Sequence, residues 1–225
     1  MIRTGPSRYF PPAASAGSDG LLLIGGSLSA DWLIDAYTHG IFPWPSGTVL
    51  AWWSPDPRAI LEPAELHVPR RLERTIRSGR FRVTMNQEFS QVIGGCATAQ
   101  CRARHTWITR PLRLAYEHLH KLGHAHSVEV FREDQLVGGV YGVAIGGMFS
   151  AESMFHRETD ASKVALVALV RHLRDQGFGL IDIQQLNAHT ARFGAKTIRR
   201  SEYLGRLQLA LRLPVAFAGV DSSRG

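Results

Sequence analysis

At 225 residues the chain is long enough for one large domain or two small ones with a real core, and a composition of 44% hydrophobic and 20% charged residues excludes a disordered or fibrous protein. Lys and Arg outnumber Asp and Glu by 26 to 19; the net charge of +7 favours a polyanionic partner, although a solvated basic surface has the same charge balance. No apolar run approaches the roughly 20 residues of a membrane span, and the N-terminus lacks the apolar stretch of a signal peptide.

Two cysteines, Cys96 and Cys101, are too few for a disulfide framework. With His105 they offer at most three metal ligands, so they read as ordinary thiols of a reducing cytoplasm, and no metal is expected.

Residues 1–19, rich in Pro, Ala, Gly and Ser, read as a loosely held arm. Ordered structure is expected from Gly20 onward. Ser29 is placed to cap a helix carrying Leu33, Ala36 and Tyr37, and Gly40 to end it. The aromatic and proline segments Ile41-Phe42-Pro43-Trp44-Pro45 and Trp52-Trp53-Ser54-Pro55-Asp56-Pro57-Arg58 suggest a lined surface or cleft, with burial in the core as the commoner fate of tryptophan.

A short helix is predicted over 69–78, with Leu72 and Ile76 inward and Arg70, Arg74 and Arg77 along one outer face. The clustering of one sign there favours a track for phosphates over a simply solvated face. Further helices are expected from Asn86, with Phe89, Val92, Ile93 and Cys96 at helical spacing, and from Thr109-Arg110-Pro111, with Leu112, Ala115, Tyr116 and Leu119 as the apolar stripe.

Beyond Gly123 the period changes to that of strands. Strands over 125–131, 136–145 and 148–154, a helix over 162–174, a strand over 180–184 and a helix near 187–193 follow, then a last segment with Tyr203, Leu204 and Leu207. This order predicts an α+β protein built on a mixed sheet, similar to the acyl-CoA N-acyltransferase fold. The domain division reads as an arm over 1–19, a small N-terminal α/β domain over 20–62 and an acyltransferase-like domain over 63–225.

Polar residues embedded in apolar strands are costly to bury and so mark candidate sites. Glu152 ends the third strand, while Asp182 and Gln184, two apart on the next, share a face. Two carboxylates and an amide there form either a reactive cluster or residues that cap loops and pair with an arginine. The segment from Phe155 to Lys163 has no glycine and two acids, so it cannot cradle the pyrophosphate of CoA, and an acyl group must come from another carrier.

Taken together and in order, Ala36-Tyr37-Thr38-His39-Gly40-Ile41-Phe42-Pro43-Trp44, residues 52–58, Thr106-Trp107-Ile108-Thr109-Arg110, residues 123–129 and 136–142, Glu152-Ser153-Met154-Phe155 and residues 182–189 resemble the leucyl/phenylalanyl-tRNA–protein transferases. The resemblance runs from about residue 20 to 204. It implies an aminoacyltransferase of the cytoplasm that carries Leu, Phe or Met from aminoacyl-tRNA to proteins beginning with Arg or Lys, marking them for degradation, without metal or other cofactor. Nothing in it demands more than a monomer.

By the same resemblance, Asp182 and Gln184 are the catalytic pair and Glu152 helps hold the reacting groups. Trp44, Trp107 and Tyr116 engage the aminoacyl-adenosine, and Val140, Met154, Leu166, Leu169, Leu173 and Ile181 form the wall of the side-chain pocket. Ser27 stands where the family usually has Asp, and Leu169 where it often has an aromatic residue. Chemically, Asp182 is expected to orient Gln184 and the incoming amine and, with Glu152, to attract the cationic amino end.

Overall fold

The structure, a computed structural model, describes residues 5–45, 49–99 and 106–217. Cys101 and His105 lie outside the described residues. The N-terminal layer contains β1 (Leu21–Ile24), α1 (Ala30–Thr38), β2 (Phe42–Pro43) and β3 (Ala51–Trp53), with the strands in an antiparallel sheet of order β1-β3-β2.

The remainder is built on a seven-stranded mixed sheet of β4 (Arg58–Leu61), β5 (Arg82–Met85), β6 (Ala125–Arg132), β7 (Gln135–Ile145), β8 (Met148–His156), β9 (Leu180–Gln184) and β10 (Lys196–Ile198). Its order is β10-β4-β9-β8-β7-β6-β5. The helices are α2 (Arg70–Arg77), α3 (Phe89–Thr98), α4 (Arg110–Lys121), α5 (Ala161–Asp175), α6 (Ala188–Ala191) and α7 (Arg200–Ala210). The α+β class and mixed sheet expected from the element order are therefore present.

Alternation along β7 sorts the core into two layers. Tyr141, Val143 and Ile145 face the side covered by α3, α4, α7 and the N-terminal layer, where Leu33, Tyr37, Leu112, Tyr116 and Leu207 are buried. Val140 and Ala144 face the other side, covered by α5 with Leu166, Leu169, Val170 and Leu173. Each such side chain contributes about 1.5–3 kcal/mol relative to exposure. The start of α4 follows its sequence: the Thr109 side chain accepts from the Leu112 amide, and Pro111 occupies the first turn, where no N–H is needed.

The site is created where two parallel strands part. The β8–β9 ladder runs over Met148↔Leu180, Phe149↔Ile181 and Ser150↔Asp182. Beyond it β8 follows β7 while β9 follows β4. Both strands are irregular at this point. Gly142 pairs with Ala151 but Tyr141 with Ser153, so Glu152 is the extra residue of a β-bulge. Ile60 pairs with Asp182 but Ala59 with Gln184, which leaves Ile183 as a second extra residue and Gln184 at φ 57. Bulges re-aim side chains, and here they turn Glu152 and Gln184 toward each other.

The structure changes several expectations. Far from being loosely held throughout, the N-terminal arm is pinned from Ser7 onward: the Ser7 hydroxyl donates to Asp35, Tyr9 stacks on Trp32, and Phe10 and Ala13 are buried. The strand Arg58–Leu61, assigned to the N-terminal domain when its limit is set at 62, lies in the large sheet between β10 and β9. Helix α3 begins at Phe89, not Asn86, which is a turn residue at φ 60 whose side chain accepts from the Ser127 amide. Strands β4, β5 and β10 are three or four residues long, too short for alternation to reveal.

Candidate active site

Asp182 sits in the middle of β9, fully enclosed, and its carboxylate is held from three sides. Arg58 donates through Nε to Oδ1 at 2.8 Å and through Nη2 to Oδ2 at 2.6 Å. The Tyr203 hydroxyl donates to Oδ2 at 2.9 Å, and the backbone N–H of Gln184 donates to Oδ1 at 2.9 Å. Arg58 is itself enclosed, with its guanidinium against the rings of Phe42 and Tyr203 and its Nη1 donating to the Gly40 carbonyl at 3.0 Å. Burial works against the Arg58 charge, but Asp182 and Tyr203 beside it outweigh that and raise its pKa.

Gln184 spends both of its amide hydrogens within the cluster, on Ser150 Oγ at 2.9 Å and Glu152 Oε1 at 3.1 Å. What it offers a substrate is therefore its carbonyl oxygen, an acceptor suited to an amine. Glu152 accepts further bonds from Ser150 Oγ at 3.0 Å and from the Tyr116 hydroxyl at 3.1 Å, and that hydroxyl meets the Tyr37 hydroxyl at 2.5 Å. Burial pushes the Glu152 carboxyl up to about 7; the negative charge of Asp182 acts in the same direction, and hydrogen bonds from Tyr37, Ser150 and Tyr116 oppose it. Near neutral pH Glu152 is thus poised between its two charge states.

Two cavities meet at this cluster, sharing Glu152, Ile183, Gln184 and Asn187. One, of about 310 Å³, is lined by Phe42, Pro43, Trp44, Trp107 and Leu186. The indole rings of Trp44 and Trp107 lie 6.2 Å apart and tilted, and Trp44 is one of the few large apolar side chains left exposed. The other, of about 580 Å³, has an apolar wall of Leu61, Val140, Met154, Phe155 and Leu166, with Ser153, His156, Ser162, His189 and Thr190 as its polar members besides the shared ones. Volumes of this size are typical of small-molecule sites.

A family model described as leucyl/phenylalanyl-tRNA protein transferase matches residues 60–208, and the model for the N-terminal domain of the same transferase matches residues 26–56. Curated relatives include the leucyl/phenylalanyl-tRNA–protein transferases of Magnetococcus marinus, 51% identical over 212 residues covering 92% of this chain and 90% of that one, and of Solidesulfovibrio magneticus, 53% identical over 203 residues covering 89% and 82%. The chain belongs to the leucyl/phenylalanyl-tRNA–protein transferase family. Among solved structures, a GCN5-related N-acetyltransferase from Kribbella flavida is similar with a TM-score of 0.41 at 12% identity, over 73% of this chain and 59% of that one. A likeness that loose decides nothing about activity.

Within this transferase, the residues singled out from the sequence fall into three groups. Glu152, Asp182 and Gln184 form one hydrogen-bonded cluster, and Trp44, Trp107, Val140, Met154 and Leu166 line the cavities beside it. Leu169, Leu173 and Ile181 do not reach either cavity; they lie behind the wall in the core between α5 and the sheet. Tyr116 is also fully buried, and reaches the site through hydroxyl contacts with Glu152 and Tyr37.

Arg70, Arg74 and Arg77 are exposed on α2 and line neither cavity. Arg77 pairs with Glu73, which also holds Arg171, while Arg80 and Arg132 share Glu158. This surface is therefore less purely basic than the sequence suggests. At Ser27 the serine hydroxyl accepts from the Ser29 backbone N–H and so braces the entry to α1.

Arg58, Tyr203, Tyr37 and Ser150 are site residues that the sequence did not reveal as such. The signals available for Arg58 are its place at the end of the family-like segment 52–58 and a charged residue heading the apolar run Ala59-Ile60-Leu61. Among the described residues no three His, Cys, Asp or Glu side chains are grouped to hold a metal ion, and no helix is long and apolar enough to cross a membrane.

Proposed function

We propose that the two cavities take the two ends of a terminal aminoacyl-adenosine, with the adenosine against Trp44 and Trp107 and the amino-acid side chain against Val140, Met154 and Leu166. As a family member the protein is an aminoacyltransferase that moves an amino acid from tRNA onto a protein's amino terminus. The observation that carries the finer reading is the junction of the cavities at Glu152 and Gln184. A donor bridging them has its ester carbonyl at the one point where an acceptor for an amine hydrogen and a titrating carboxyl stand together.

The donor we propose is Leu-, Phe- or Met-tRNA, since an apolar wall separates such side chains by only about 1–3 kcal/mol per methylene. The acceptor is a protein beginning with Arg or Lys, marked in this way for degradation in the cytoplasm, and the enzyme works as a monomer. The acceptor's α-amine, with a pKa of about 7.7–8, is partly neutral near pH 7 and requires no strong base. Ionised Glu152 draws the amine in, and the Gln184 carbonyl oxygen orients the amine's lone pair toward the ester carbon. As the C–N bond forms Glu152 takes the amine's proton, and as the ester C–O bond breaks it passes that proton to the departing oxygen of the terminal adenosine. Positioning of this kind is worth up to about 7–11 kcal/mol.

Glu152 lines both cavities, whereas Asp182, paired with Arg58, lines neither and takes no part in drawing the amine on this reading. Its part is to hold the backbone that carries Gln184. The test is transfer of labelled leucine from Leu-tRNA to a peptide beginning with Arg and to the same peptide beginning with Ala. Strong labelling of the first alone supports the reading, and equal labelling of both refutes the proposed acceptor selectivity.

A further inference from the structure

We infer that Arg58 and Tyr203 are positioning residues of the transfer reaction, acting through Asp182 to hold Gln184 in its reactive place. The inference rests on the function proposed above and adds to it two residues from distant parts of the chain.

Four observations lead to it. Gln184 stands at φ 57, a left-handed conformation that a non-glycine residue holds only when its surroundings impose it. Its backbone N–H is tied at 2.9 Å to Asp182 Oδ1, and that oxygen is the one Arg58 Nε also engages. Asp182 is thus the link between the guanidinium and the strained residue. Second, the Arg58 fork is bidentate and enclosed between the Phe42 and Tyr203 rings, a geometry with no freedom to slide.

Third, the third arm of the guanidinium reaches the Gly40 carbonyl, two residues before Phe42 and four before Trp44, both in the lining of the smaller cavity. One planar group therefore ties the cavity proposed for adenosine to the residue proposed to receive the amine. Fourth, the Tyr203 hydroxyl, supplied by α7, completes the shell around Asp182 Oδ2. A buried ion pair is weak evidence for stability, since apolar side chains of the same volume often serve as well. An arrangement that ties the lining of the smaller cavity to Gln184 is better explained by placement.

The test compares single-turnover rates and KM for Leu-tRNA in the parent enzyme, Tyr203→Phe, Arg58→Lys, Asp182→Asn and the double variant Arg58→Met/Asp182→Asn. The double variant removes both buried charges together and so avoids the unpaired carboxylate that Arg58→Met alone would leave. Asp182→Asn keeps the side chain's shape and an acceptor oxygen for Arg58, and its thermal unfolding checks that it is folded before its rate is compared. Loss of one hydrogen bond to a charged group in Tyr203→Phe should lower kcat about tenfold while KM stays within about twofold. Lysine cannot span both carboxylate oxygens, so Arg58→Lys should lower kcat about 100-fold yet remain active, a partial rescue.

The decisive comparison is the double variant with Asp182→Asn. If Arg58 acts through Asp182, the two have the same kcat within about threefold, because the second loss has nothing left to act on. The inference is overturned if Tyr203→Phe and Arg58→Lys both keep kcat within about twofold of the parent, or if the double variant's kcat lies more than about threefold below that of Asp182→Asn. The parent run in the same assay reports on the proposed function, and the variant-to-parent ratios report on the clamp.

Discussion

Replacing Glu152 with Gln should make the protein more stable at alkaline pH while it removes most of the activity. A carboxyl moved from the ordinary 4.5 to about 7 binds its proton roughly 300-fold more tightly in the folded chain, a difference of about 3 kcal/mol. The sign follows from the direction of that shift. Because the folded state prefers the proton, stability is full below the unfolded pKa of 4.5, falls as pH rises from there to about 7, and is flat above it. Between pH 5.5 and 8.5 the loss due to Glu152 alone is about 2 kcal/mol, which for a chain of this size moves Tm by about 4–8 °C.

Glutamine has nearly the same shape, can accept at Oε1 as Glu152 does from Ser150 and Gln184, and does not titrate. The assay is thermal or urea unfolding of parent and variant, without substrates, at pH 5.5 and 8.5. Working without substrates matters because the acceptor amine titrates near 7.7–8 and would blur an acid limb in the rate. The difference in stability between variant and parent should grow by about 2 kcal/mol from pH 5.5 to 8.5. A difference that is the same at both pH values would mean that Glu152 does not change charge there, and its part in taking the amine's proton would go with it.

Other outcomes test the cavities and the basic helix. Trp107→Ala removes one face of the site proposed for adenine and should raise KM for Leu-tRNA by about 10–100-fold with a smaller change in kcat, stacking being worth about 1–3 kcal/mol per base; steady-state kinetics over a range of charged tRNA checks it. Leu166→Ala enlarges the apolar wall and should shift donor preference from Leu toward Phe by about tenfold in kcat/KM, measured with the two tRNAs in competition. Arg70, Arg74 and Arg77 changed together to Gln should reduce the slope of log Kd against log salt by about 2–3 if each contacts a phosphate. An unchanged slope would put the tRNA track on another face.

Much of the scaffold is legible in the sequence because its signals are local. The Thr109 cap and Pro111 mark the start of α4, and the period change after Gly123 marks the three strands that pair in series as β6, β7 and β8. The ordered motifs also mark the family, and the burial of polar residues in apolar strands leads to Glu152, Asp182 and Gln184. The resemblance also puts Leu169, Leu173 and Ile181 in the pocket wall, but an apolar side chain can face a core as well as a cavity, and these three face the core while Leu166 faces the cavity.

What only the tertiary structure decides is which buried groups meet. Arg58 lies 124 residues from Asp182 in the chain, so no window of sequence contains both, and the pairing that frees Glu152 to be the titrating carboxyl arises only when β4 enters the sheet beside β9. The bulges at Glu152 and Ile183 are equally hidden, because a single extra residue shifts the phase of a strand without leaving a mark in its composition. Local physics determined the strands, helices and the kind of chemistry present; the long-range register of those strands determined which carboxylate is spent on an arginine and which is left to face the substrate.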